Sequence, residues 1–251
     1  MSGAVYHRPT NIMIHYSCKT GTTFLRKCKI HGTSNCECEY QKRLGFEDYL
    51  MDRVNIYAVE RHYAVVRDPV ERAISAFQHC ALRLYFPDRR EVFLKGGDSH
   101  WKPYELPVVM AWRDTWHDQL SRYMLGEHPD DIVALWYDWA ANVLPIVIKY
   151  NCHFAPQLNL PWNQDWLHTA ELWVTPKLRE EMQRLFPNIQ WNRRSTHRGG
   201  WYFNISRSGF YDAIASEVHK FYPADFELYD RAVEMNLHKY PALRKTRLNT
   251  V

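Results

Sequence analysis

Two short segments bring together residue types that hold phosphate. The first, Lys19-Thr20-Gly21-Thr22-Thr23, sets an ammonium, a glycine and three hydroxyls within five positions. Backbone N–H groups of a small-residue loop entering a helix point outward unpaired, and the helix dipole adds to their pull on an anion. Gly21 lets the backbone approach closely, the threonine hydroxyls donate, and Lys19 supplies a mobile positive charge. The second segment, Val65-Val66-Arg67-Asp68-Pro69, places Arg67 just past an apolar run, with Ser75 eight residues on. Arginine and serine so placed can both hydrogen-bond a second phosphate. Each segment also has a plainer reading. The threonines can cap a helix beside a solvated lysine, Asp68 and Arg72 can pair at i, i+4 on a helix surface, and Ser75 can face water.

The elements that must position these residues follow from periodicity. Residues 11–16 read as a strand, and residues 22–29 can open a helix capped by threonine. Residues 63–66 are a short apolar run of buried-strand type, ended by Arg67-Asp68-Pro69. Pro69 suits a first helical turn, Asp68 can cap it, and Val70, Ala73, Ile74 and Phe77 then recur at helical spacing. Strand, polar turn and helix, twice over, argue for a parallel sheet. In such a sheet, Arg67 leaves the C-terminal end of its strand, where open α/β sheets bind ligands. Residues 107–150 read as mostly helical. The run at 132–136 resembles an ATPase strand ending in an acid, but Ile132, Leu135, Trp136, Trp139 and Val143 keep a 3.6-residue period, so it is expected to be a helix. Phe210, Ile214, Val218 and Phe221 mark a late helix that Tyr222-Pro223 interrupts.

The 251 residues suffice for one sizeable core, and a single domain over 1–251 is expected. There is no apolar run of the roughly 18 residues a membrane span requires. The opening residues lack a basic segment followed by an apolar one, which sets a cytoplasmic expectation. A net charge of +4 suits an anionic ligand better than a cationic one, and no basic arm points to nucleic acid. Cys28, His31, Cys36 and Cys38 cluster, yet one C-x-C with one distant cysteine departs from the paired spacing of structural zinc, so no metal is expected.

The pair K-T-G-T-T and R-D-P-x-x-R-x-x-S resembles the sulfotransferases that use 3′-phosphoadenosine 5′-phosphosulfate (PAPS), most closely their carbohydrate, Golgi-type branch. The resemblance implies a P-loop-like central parallel sheet flanked by helices. Lys19, Thr20, Gly21, Thr22 and Thr23 match the loop that holds the 5′-phosphosulfate, and Arg67 and Ser75 match the ligands of the 3′-phosphate. Two shorter stretches extend the likeness. His153-Phe154-Ala155-Pro156-Gln157 is similar to the branch's H-[WF]-x-P-Q, and Tyr222-Pro223-Ala224-Asp225-Phe226-Glu227-Leu228 to its Y-x-x-D-F-x-L. Arg198, in a basic turn before Gly199-Gly200, resembles a late segment that reaches the 3′-phosphate in cytosolic relatives, although a plain surface turn also suits it. Cys18 stands where the family usually has proline, and the interval between Lys19 and Arg67 is shorter than in many relatives.

The resemblance implies transfer of a sulfuryl group from PAPS to a hydroxyl, on a carbohydrate or a glycosylated small molecule, with PAP as product and no metal required. In that role Lys19 sits at the oxygen bridging sulfur and phosphorus. The proton-accepting base is open: relatives use histidine or glutamate a few tens of residues after the loop lysine, a window that holds His31, Glu37, Glu39 and Glu47; His31 is the first candidate, and His153, through the resemblance of its own segment, the second. His62 precedes its strand and His79 lies one turn beyond Ser75. Two rivals stay in view. A P-loop kinase or NTPase needs G-x-x-x-x-G-K-[ST], an order absent here, and a non-catalytic nucleotide- or glycan-binding module would use the same fold.

Overall fold

A computed structural model of the chain describes residues 3–17, 20, 46–48, 58–80, 104–124, 132–149, 151, 153–159, 169–187 and 207–243. In chain order the regular elements are β1 (Gly3–His7), β2 (Ile12–Tyr16), β3 (Phe46–Asp48), β4 (Arg61–Val66), α1 (Pro69–Cys80), α2 (Leu106–Thr115), α3 (His117–Met124), α4 (Ile132–Asn142), the single turn α5 (Leu144–Val147), β5 (Glu171–Val174), α6 (Leu178–Leu185), α7 (Arg207–Phe221) and α8 (Pro223–Asn236). They sort into two compact units, one of residues 1–68, 157–198 and 224–251, the other of residues 69–156 and 199–223.

The first unit is an α/β layer. Its five strands lie in the order β3-β1-β2-β4-β5. β2, β4 and β5 run parallel, whereas β1 is antiparallel to both β2 and β3. The sheet is therefore mixed, a correction to the parallel sheet expected from sequence. The cause is the short connection between β1 and β2. The 3-10 turn Arg8–Thr10 and Asn11 reverse the chain within four residues, which only an antiparallel pair permits. Asn11 adopts φ 51°, a left-handed conformation that asparagine tolerates better than most residues. Its side chain accepts from the Tyr6 hydroxyl (2.9 Å) and donates to the Ala58 carbonyl (2.9 Å), while its carbonyl accepts from the Glu60 N–H (3.2 Å). One residue thus ties the start of β2 to the approach to β4.

Strand alternation sends side chains to two faces, and each face has its own helix. On one, Val5, Ile14, Tyr16, Tyr63, Val65 and Trp173 pack against Leu178 and Met182 of α6. On the other, Ala64, Val66, Leu172 and Val174 pack against Leu228, Ala232 and Val233 of α8. The parallel strands are buried on both faces, which explains why 63–66 reads as a continuous apolar run rather than an alternating one.

The described residues of the second unit are mostly helical, in agreement with the periodicity read over residues 107–150 and 210–221. Its core is aromatic. Phe77 of α1 stands edge-on to Trp112 of α2 (6.0 Å between centroids) and to Trp136 and Trp139 of α4 (5.3 and 5.7 Å), and Phe210 of α7 meets Trp136. Residues 132–136 are helical, so Asp138 follows no strand; it accepts instead from the Trp116 indole N–H at 2.7 Å.

Trp173 is fully buried in the sheet core against Tyr63, with ring centroids 4.4 Å apart. Trp173→Ala should cost about 3–5 kcal/mol in urea or guanidinium unfolding; a loss under about 1 kcal/mol would mean that α6 does not close over the sheet as described.

Candidate functional site

Both phosphate-type segments begin where parallel strands of one sheet end. β2 and β4 are neighbours, with Tyr16 opposite Val65, so Ser17 and Val66 stand level at the C-terminal edge. Lys19 and Arg67 follow within three residues of those strand ends in the sequence. Right after β2 the chain makes a tight turn. The Thr20 hydroxyl donates to the Ser17 carbonyl (2.8 Å) and accepts from the Ser17 N–H (2.9 Å), and the Thr20 N–H also reaches the Ser17 carbonyl (3.3 Å). Thr20 is wholly buried. Its hydroxyl, expected to donate to a ligand, donates here to the Ser17 carbonyl.

The exit of β4 is held differently. A strand end leaves backbone N–H and C=O groups without a ladder partner, and burial makes leaving them unmet expensive. Here side chains complete the ladder. The Thr175 hydroxyl donates to the Val66 carbonyl (3.1 Å). The Gln157 carboxamide grips both backbone groups of Arg67, its oxygen accepting from the Arg67 N–H (3.0 Å) and its nitrogen donating to the Arg67 carbonyl (2.9 Å). Gln157 opens the 3-10 turn Gln157–Asn159, and its own N–H donates to both carboxylate oxygens of Asp225, each at 2.8 Å; the Leu158 N–H reaches Oδ1 at 3.3 Å. Asp225 is wholly buried in the first turn of α8. Three motifs far apart in sequence therefore meet in one relay, Asp225 to Gln157 to Arg67, in the first unit. The roles of Gln157 and Asp225 are absent from the residue-level reading; the signal that contained them was the pair of short motif matches.

Of the remaining described candidates, Glu47 lies in β3 opposite Tyr6 of β1, in the first unit, whereas Ser75 and His153 lie in the second. Ser75 sits on the half-exposed face of α1 with Glu71 and Gln78, opposite the buried Val70, Ala73, Ile74 and Phe77. His153 is buried, and its N–H donates to Asn151 Oδ1 at 3.1 Å. Arg72, which the plainer reading set on a helix surface, is only 2% exposed, and its guanidinium donates to the Ala155 carbonyl. The spacing places Arg72 on α1, but on its inward side, where the Ala155 carbonyl accepts a hydrogen bond from its guanidinium. The Tyr222 hydroxyl donates to the Phe154 carbonyl at 2.7 Å. Lys19, Gly21, Thr22, Thr23, His31, Glu37, Glu39, Arg198 and the cysteines at 18, 28, 36 and 38 lie outside the described residues.

Two other polar clusters occupy the sheet. Glu171, at the start of β5 and so at the opposite edge from Arg67, bonds Lys239 at 2.6 Å, and Arg184 pairs with the buried Glu181 at 2.7 Å. Burial by itself would raise the Glu171 carboxyl, but the Lys239 ammonium, the Trp173 indole N–H and the Arg184 charge together outweigh it and hold the carboxyl below its ordinary range. This is a structural lock between β5, α6 and the turn that follows α8. The second cluster is a stacked imidazole pair on the face that carries Ala64: His15 Nε2 lies 3.0 Å from His62 Nδ1, with centroids 5.4 Å apart. His62 is the second residue of β4, inside the strand rather than before it. Burial first, and the His62 charge second, hold the His15 imidazole down to about 3. Among the described residues no cluster of three or more histidine, cysteine or acidic side chains could hold a metal.

Compared with protein-family models, curated proteins and solved structures, the chain matches none.

The His15 value sets a direction for acid stability. An unfolded imidazole takes a proton below about 6.5, whereas the folded one does so only near about 3. Stability contributed by neutral His15 is therefore complete above pH 6.5 and is lost as pH falls through that window, at about 1.4 kcal/mol per unit. Urea midpoints measured between pH 7.5 and 5 should fall faster for the native chain than for His15→Phe. Parallel slopes would remove His15 as the cause.

Proposed function

We propose that the chain is a sulfotransferase that uses PAPS and transfers its sulfuryl group to an acceptor hydroxyl, on a carbohydrate or a glycosylated small molecule. The observation that carries this reading is the shared edge: the two anion-binding segments issue from the C-terminal ends of adjacent parallel strands, with Tyr16 level with Val65. Ligands of open α/β sheets bind at that edge. A donor with phosphate groups on both its 5′ and 3′ oxygens needs two separate cationic grips, and Lys19 and Arg67 are suitably spaced in the sequence to supply them.

The step follows from the charge flow. The acceptor oxygen attacks sulfur as the bond from sulfur to the bridging oxygen breaks; PAP leaves with that bond's electron pair, and the acceptor's proton passes to a base. Negative charge grows on the bridging oxygen, where the Lys19 ammonium stabilises it. The base is His31, with His153 as the alternative. Positioning and charge stabilisation carry the rate, as in phosphoryl transfer, and no covalent enzyme intermediate is needed.

Calorimetry with PAP should detect binding that needs no magnesium, and incubation with labelled PAPS and a panel of glycans, phenols and steroids should yield a sulfated product. Lys19→Ala should reduce turnover by about 10²–10³-fold. Preferential, magnesium-dependent binding of ATP would defeat the proposal in favour of a kinase or NTPase. PAP binding without transfer to any acceptor would leave a binding module.

A further inference from the structure

The backbone of Arg67 is held by a side chain ninety positions later in the chain, which is itself held by a buried carboxylate a further sixty-eight positions on. We infer that Gln157 and Asp225 are positioning residues that aim the Arg67 guanidinium at the 3′-phosphate of the donor; the inference rests on the PAPS reading above. Gln157 does for Arg67 what the next strand of the sheet would do, offering one acceptor and one donor at ladder distances of 3.0 and 2.9 Å. An arginine one residue past a strand would otherwise swing on two soft backbone torsions, and its long side chain would magnify any such motion at the guanidinium. Fixing its N–H and carbonyl together removes that freedom before ligand arrives.

Asp225 in turn fixes Gln157. Its two oxygens take the first N–H groups of the 3-10 turn, charge-assisted contacts in a buried setting where they are stronger than in water. The carboxamide's orientation follows, because its root can no longer turn. Asp225 and Gln157 need touch no ligand to do this. Through Arg67 their effect reaches the donor at its 3′-phosphate.

That selectivity supplies the test. PAP and AMP share the adenosine and the 5′-phosphate, and only PAP carries the 3′-phosphate. Binding of both is measured calorimetrically on the full chain and on Gln157→Met, which keeps the length of the side chain but neither donates nor accepts. The native chain should prefer PAP, and the variant should lose about tenfold or more of that preference, with AMP affinity held within about twofold. Asp225→Asn, which keeps one acceptor oxygen for the Gln157 N–H, should shift the preference the same way by less, and it serves if Gln157→Met does not fold. An unchanged PAP-to-AMP ratio in a folded variant, or an equal fall in both affinities, overturns the positioning role and leaves the donor assignment intact. A native chain that does not distinguish PAP from AMP overturns the donor assignment, and the positioning role falls with it.

Discussion

The end of β4 is the point on which the candidate site depends. A parallel strand that stops at the C-terminal edge of a sheet leaves peptide groups without a ladder partner beside the charged residue that follows it, and burial makes leaving them unmet expensive. The chain meets this constraint with side chains. Thr175 takes up the Val66 carbonyl and Gln157 both groups of Arg67. The same solution recurs on a smaller scale after β2, where Thr20 closes a turn on Ser17.

Meeting those groups has consequences for the rest of the first unit. Gln157 holds Arg67 only if it arrives in a fixed orientation, which requires Asp225, which requires that the first turn of α8 be seated. α8 is seated because Leu228, Ala232 and Val233 bury against Ala64, Val66 and Leu172. Core packing on one face of the sheet and a polar relay at its edge are therefore one structure. Asn236 adds a second tie, its carboxamide donating to the Leu172 carbonyl of β5 at 2.7 Å. The charged cluster of Glu171, Lys239, Glu181 and Arg184 does equivalent work at the opposite edge, which leaves the C-terminal edge to the phosphate-type segments.

Much of this was legible in the residues. The α1, α4 and α7 helices follow from apolar spacing, because a helix that buries one face must repeat near 3.6 whatever it packs against. The 63–66 strand follows from its unbroken apolar run, though it starts two residues earlier than the run because Arg61 and His62 are paired with β2 without being fully buried. β1 was missed. Gly3–His7 is short and begins with small residues, and although Pro9 and Asn11 signal a turn after it, its strand character comes from pairing on both sides with β2 and β3. Arg72 illustrates the limit from the other side: i, i+4 spacing with Asp68 is a local fact, while the carbonyl that claims it belongs to a segment more than eighty residues away.

What the sequence alone determined is the chemistry on offer and the local elements that carry it: an ammonium, hydroxyls and a glycine after one apolar strand, an arginine after another, and helices wherever the apolar period is 3.6. Those are set by neighbouring residues, whose spacing is covalent. The parallel run of β2 and β4 agrees with the strand, turn and helix repeat in the residues; tertiary structure alone decided that β1 runs against β2 and that Gln157 and Asp225 serve Arg67. Such partners are chosen by the path of the chain and by which buried peptide groups still lack a bond when the strands have paired, and no local pattern records either.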